Sequence, residues 1–176
     1  MSNIEKNLNA LKWIIYILAV LIAASPIFLF WAPETSVLFF QNELLEQYGG
    51  VSILLPWQKI LGFFVASLPA GFLLWALVSL SRLLTLLRGG QWFAESSEIQ
   101  CRRFAHALLW YVDMQIIHRT LLVLILTATY PVGKKEIYLA LSSDDLMTLV
   151  PAIFALIFAH IVHLARQQRD ELLQIV

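Results

Sequence analysis

The apolar positions of this 176-residue chain come in long unbroken runs, separated by short polar stretches. Four runs, residues 11–31, 60–87, 105–130 and 146–164, are each long enough to cross a hydrocarbon core of ~30 Å, which takes about 20 helical residues. None of them alternates with a period of two between closely spaced turns, so barrel strands are not expected. Helices are, because lipid offers no partner to an open N–H or C=O. The pattern predicts an all-α integral membrane four-helix bundle, one transmembrane domain over residues 1–176.

The first run has Lys6 and Lys12 before it and the small residues Ala23, Ala24 and Ser25 near its end, as a cleaved leader would. It is too long for an ordinary leader, and Pro26 disfavours cleavage there. An uncleaved anchor is the reading.

Direction follows from the basic residues. Lys6, Lys12, Arg82, Arg88, Arg102, Arg103, Arg166 and Arg169 fall on the side shared by both termini and the middle loop, and Lys59, Lys134 and Lys135 on the other. Eight against three predicts that both termini are cytoplasmic, and a bacterial inner membrane is the expected location. Trp13, Tyr16, Trp31, Trp57, Trp92, Trp110 and Tyr130 mostly lie near the predicted interfaces, where amphipathic rings are favoured. Pro69 should kink the second span, and Pro151 is expected in the first turns of the fourth, where a missing N–H costs less.

Between the first two spans, Thr35 or Ser36 can cap a helix running to Tyr48, with Gly49 and Gly50 as its stop. Val37, Phe40, Leu44 and Tyr48 line one side of it, so a short interfacial helix is predicted in the first outer loop. Gly89 and Gly90 end the second span, and the following segment reads as a helix running into the third, with Glu98 and Arg102 as an i,i+4 pair. The tail carries the fourth span onward and ends on the apolar residues Leu172, Leu173, Ile175 and Val176.

An ionisable group at mid-membrane costs roughly 2.5–3.5 kcal/mol on insertion scales, so each needs a partner or a purpose. The intramembrane polar residues are Arg82, Asp113, Gln115, His118 and Arg119. Asp113 lies ~14 Å in from Phe104 at 1.5 Å per residue, with Arg82 or His160 as its expected partner. His106, Asp113, His160 and His163 are the candidates for a metal, haem or proton site, without HExxH or CxxCH to support it. Interhelical hydrogen bonding is the preferred reading of all four, so no cofactor is expected.

Composition sharpens this picture. Hydrophobic residues make up 60% of the chain and charged ones 14%, against about 45–50% and about 25% in soluble domains. Mean hydropathy is +0.76. Formal net charge is zero, so direct nucleic-acid binding is not expected, and the one cysteine, Cys101, excludes an internal disulfide and reads as a spectator thiol. Ser67, Ser79 and Ser81 read as backbone-bonded or interhelical serines, and no catalytic constellation is present. An enzyme is not predicted.

The run Arg88-Gly89-Gly90-Gln91-Trp92-Phe93-Ala94-Glu95-Ser96-Ser97, continued by Arg102-Arg103-Phe104-Ala105, resembles the inner-loop signature of the bacterial domain-of-unknown-function 2975 membrane family. The tail from Ala165 through Arg169-Asp170-Glu171 to Val176 is similar to that family's ending, and the four-span layout matches. Departures are Ser97, where the family often has asparagine, Ala105, where a glycine is common, and a less acidic tail. The resemblance implies no catalytic residues. It implies a membrane partner for a small helix-turn-helix regulator. The expected function is therefore a non-enzymatic interaction protein, using Phe93, Arg102, Arg103, Leu172 and Leu173. Its partners would be the bilayer, a regulator, another membrane subunit or a second copy.

Overall fold

The computed structural model describes residues 3–31, 45, 47, 50–91, 94–130 and 143–175, without the side chains of 3–7, 143–145, 170 and 172–175. The fold is all-α. Its helices are α1 (Asn3–Trp31), α2 (Pro56–Arg88), α3 (Glu95–Thr127) and α4 (Ser143–Ile175), with a 3-10 turn at Val51–Ile53 before α2. All four are long and apolar enough to cross a membrane. At 33 residues, each of α2, α3 and α4 is ~50 Å long and exceeds a ~30 Å core by several turns. The start of α1, the end of α2, the start of α3 and the later part of α4 lie at one end of the bundle, called here the terminal end.

The helix boundaries have local causes. Pro56 opens α2 at a first-turn position, where no N–H is needed. At the other end of α2, Gly90 takes φ +74°, the Gly90 N–H donates to the Leu87 carbonyl at 3.1 Å and the Gln91 N–H to the Leu86 carbonyl at 3.1 Å. This is a Schellman stop, and the left-handed position requires glycine. Helix α3 ends at Thr127, three residues short of the expected Tyr130, and the chain leaves it through a turn in which the Tyr130 N–H donates to the Thr127 carbonyl at 3.0 Å. Pro151 lies inside α4 and not in its first turns, since that helix already begins at Ser143. The expected interfacial helix falls mostly outside the described residues. Of it, Leu45 and Gln47 are helical, Leu45 is buried, and its carbonyl accepts the Gly50 N–H at 2.8 Å.

Consecutive helices make the main contacts, most extensively α2 with α3. Small residues occupy the contacts: Ala76, Ala105, Ala107 and Ala152 are fully buried. Large apolar side chains face outward, Phe64, Met147 and Phe154 among them. That distribution suits lipid, which is as good a neighbour for leucine as another helix is, so close backbone approach decides the interfaces. Away from the terminal end, Phe30, Ala66, Leu122 and Leu126 pack together, and Trp31 meets Phe63 edge-on at 5.4 Å. Near the terminal end the core is Leu83, Cys101 and Ala159, which places the thiol in packing.

Gln58, 2% exposed, fastens the start of α2 to the end of α3. Its Oε1 accepts the Leu55 N–H at 3.0 Å, and its Nε2 donates to the Ile125 carbonyl at 2.8 Å. That carbonyl otherwise receives only a long 3.4 Å bond from Ala128. Gln58→Leu opens both backbone groups at once. Reversible unfolding in detergent is expected to show a loss of about 1–3 kcal/mol.

Candidate functional site

Polar side chains gather in two places. At the terminal end, Glu95 and Glu98 stand three residues apart at the start of α3, opposite His163 and Arg166, three apart on antiparallel α4. Glu98 is 8% exposed. Its carboxylate accepts from His163 Nδ1 at 2.7 Å, Arg166 Nη1 at 3.0 Å and, weakly, Arg102 Nη2 at 3.5 Å. Arg166 also reaches Glu95 at 3.4 Å, and Gln167 Nε2 donates to His163 Nε2 at 3.1 Å. A buried carboxylate with this many donors is held firmly. Arg88 adds a tie to α1 through Asn9 Oδ1 at 2.9 Å.

The second place is a cleft of about 270 Å3 between α1, α2 and α3. Pro26 and Leu29 of α1 and Pro69, Ala70 and Leu73 of α2 form much of its apolar wall. Ser25, Tyr111, Gln115 and His118 supply its polar groups, and no charged side chain lines it. Gln115 Nε2 donates to the Tyr111 hydroxyl oxygen at 2.6 Å, which leaves the phenolic proton available. Ser25 donates to the Ile22 carbonyl at 2.9 Å, a carbonyl whose helical partner is lost at Pro26. His118 is 8% exposed, and neither ring nitrogen has a hydrogen-bond partner.

The expected pairing of Asp113 with Arg82 or His160 does not occur. Arg82 lies in a groove with Ile15, Tyr16 and Ala19 of α1, away from α3. His160 is exposed on α4, its ring 6.5 Å from that of His163. Asp113 is exposed on α3, one turn from Trp110 and Ile117, with no bonded partner among the described residues. His106 Nδ1 bonds the Arg102 carbonyl at 2.7 Å within its own helix. The candidates His106, Asp113, His160 and His163 are therefore not brought together. Among the described residues no group of three or more His, Cys, Asp or Glu side chains is placed to hold a metal.

Gln115 and His118 share a face as the periodicity required, and that face lines the cleft; Arg119 is not among the residues that line it. Arg102 and Arg103 are exposed. Phe93 and the side chains of Leu172 and Leu173 lie outside the described residues. The Glu98–Arg102 pair is present, but the cross-helix partners of Glu98 were missed. Their signal was legible: two acids and two bases, each spaced by three, at one end of neighbouring helices. Nothing in the hydropathy pointed to the cleft.

No known family model, curated protein or solved structure matches the chain.

Proposed function

We propose that this chain is a multi-pass membrane protein of the bacterial inner membrane, with both termini cytoplasmic, that acts by binding another protein and not by catalysis. The observation that carries this reading is the uncovered face of α3. Ile99, Arg103, His106, Trp110, Asp113 and Ile117 are all exposed on it, at alternating spacings of four and three. That is the seam spacing of one helix packing along another. Asp113 stands near mid-span on this seam, where lipid alone leaves a carboxylate costing roughly 2.5–3.5 kcal/mol. A partner helix with a donor at that depth removes the penalty.

The basic loop supports the orientation, and the resemblance to the domain-of-unknown-function 2975 family supports a regulator or a second membrane subunit as the partner. Arg102 and Arg103 are exposed near the terminal end of α3, and the sequence assigns Phe93, Leu172 and Leu173 to the same docking role. The Glu98–His163–Arg166 network holds α3 and α4 in register beneath it.

Topology is checked by reporter fusions, expected outside at Gly49 and Lys134 and inside at Gly90. Binding is checked by photo-crosslinking in native membranes from position 103 or 117, with position 158 on α4 as control. A discrete protein adduct from the first two, lost on Asp113→Leu or on deletion after Arg169, is the expected result. Lipid adducts alone from all three positions would sink the reading.

A further inference from the structure

Arg82 belongs to a helix long and apolar enough to cross a membrane, yet among the described residues it has no hydrogen-bond or ion-pair partner. Other basic residues at the terminal end are answered within the fold: Arg166 and Arg102 by Glu98, and Arg88 by Asn9. Arg82 instead borders a groove of about 200 Å3 between α1 and α2. Ile15, Ala19, Leu77 and Val78 form the apolar walls, and Tyr16 and Ser81 bring hydroxyls that have no partner among the described residues. Lys12 precedes Tyr16 by one turn on the same face of α1 and is equally unpaired there. No carboxylate lines the groove. Cations and donors without an acid call for an anion from outside the chain.

Depth identifies that anion. At 33 residues α2 is ~50 Å long, so centred on a ~30 Å core it overhangs by about 10 Å at each end. Arg82 lies ~9 Å from the end of α2 at Arg88, where acyl chains give way to headgroups. Its exposed side chain, on a long apolar stem, reaches the headgroup layer. The anion standing at that level is a lipid phosphodiester, and a guanidinium binds phosphate oxygens in pairs. Apolar walls below the arginine suit an acyl chain and give a soluble anion nothing to bind. A choline or ethanolamine cation would find no carboxylate in the groove, which favours a headgroup of net negative charge.

We propose that the groove between α1 and α2 binds an anionic phospholipid, its phosphate on Arg82 and one acyl chain along Ile15, Ala19, Leu77 and Val78. Lys12, Tyr16 and Ser81 are the further donors at the headgroup. The site stands apart from the exposed α3 seam and does not depend on it.

The full-length protein in dodecyl maltoside is titrated with dioleoylphosphatidylglycerol or dioleoylphosphatidylcholine, and native mass spectrometry counts the lipids bound. The first phosphatidylglycerol is expected to bind about tenfold tighter than the first phosphatidylcholine. Arg82→Gln should remove that preference. Lys59→Gln, which deletes the same charge at the opposite end of α2, should keep it. Glycerol 3-phosphate, a phosphate without acyl chains, should not displace the lipid. Circular dichroism and thermal melting establish that each variant is folded. Equal binding of the two lipids, or equal weakening by Arg82→Gln and Lys59→Gln, would mean unselective annular lipid and overturn the proposal. Displacement by glycerol 3-phosphate at a concentration matching the lipid would make this a soluble-phosphate site and overturn it too.

Discussion

Arg166→Leu is expected to be the most damaging single change at the terminal end, lowering stability by about 3 kcal/mol in reversible detergent unfolding. The reason is the state in which it leaves Glu98. That carboxylate is 10% exposed at its side chain and would keep only His163 and the long Arg102 contact. Breaking a buried pair by removing one partner typically costs 3–5 kcal/mol, and Arg166, with its side chain 28% exposed, belongs at the lower end. Removing both charges should be far milder. The double variant Glu98→Leu with Arg166→Leu restores most of the loss if the penalty is the stranded carboxylate. A double variant as unstable as Arg166→Leu alone would mean that Arg166 acts through packing of its stem instead. Glu95→Gln should cost little, because that carboxylate is exposed and its 3.4 Å contact is a surface one.

Gly62→Val should disrupt the contact of α1 with α2. A Cβ at Gly62 would stand 2.6 Å from two ring carbons of Phe30, and Phe30 is 2% exposed in the core. Phe30 has little room to move, with Ala66, Leu122 and Leu126 in the same cluster. Overpacking of this kind costs typically 1–3 kcal/mol. Gly62→Val is therefore expected to melt earlier, and adding Phe30→Leu should recover part of the loss by shortening the clashing side chain. By contrast, Gly71→Val meets nothing within 4 Å and serves as the control for glycine replacement in the same helix. Equal loss at Gly62 and Gly71 would assign the effect to helix propensity and not to the close approach.

Both predictions turn on facts of different origin. That Arg166 and Glu98 sit at the same end was legible in the chain, since the spans alternate direction and the acids and bases flank them. Their meeting was not, because a wheel drawn on α4 alone cannot say which face turns toward α3. The same limit explains Asp113. Its depth follows from counting residues at 1.5 Å each, but its exposure depends on where α2 and α4 pack around α3.

What the sequence determined by itself is the set of spanning segments and the stop of the second. Apolar runs of span length and the Gly89-Gly90 stop were legible in the chain, because each is a local property. The opening at Pro56 and the end of α3 at Thr127 are local as well but were placed at residues 60 and 130 by hydropathy alone. Tertiary structure alone decided the faces: the Gln58 tie to Ile125, the ring of Phe30 over Gly62, the donors around Glu98, and the cleft at His118. In water, hydrophobicity marks the buried side of a helix. In lipid, an apolar side chain is as well placed against acyl chains as against a neighbouring helix, so hydropathy says that a segment spans and is silent on which way it faces.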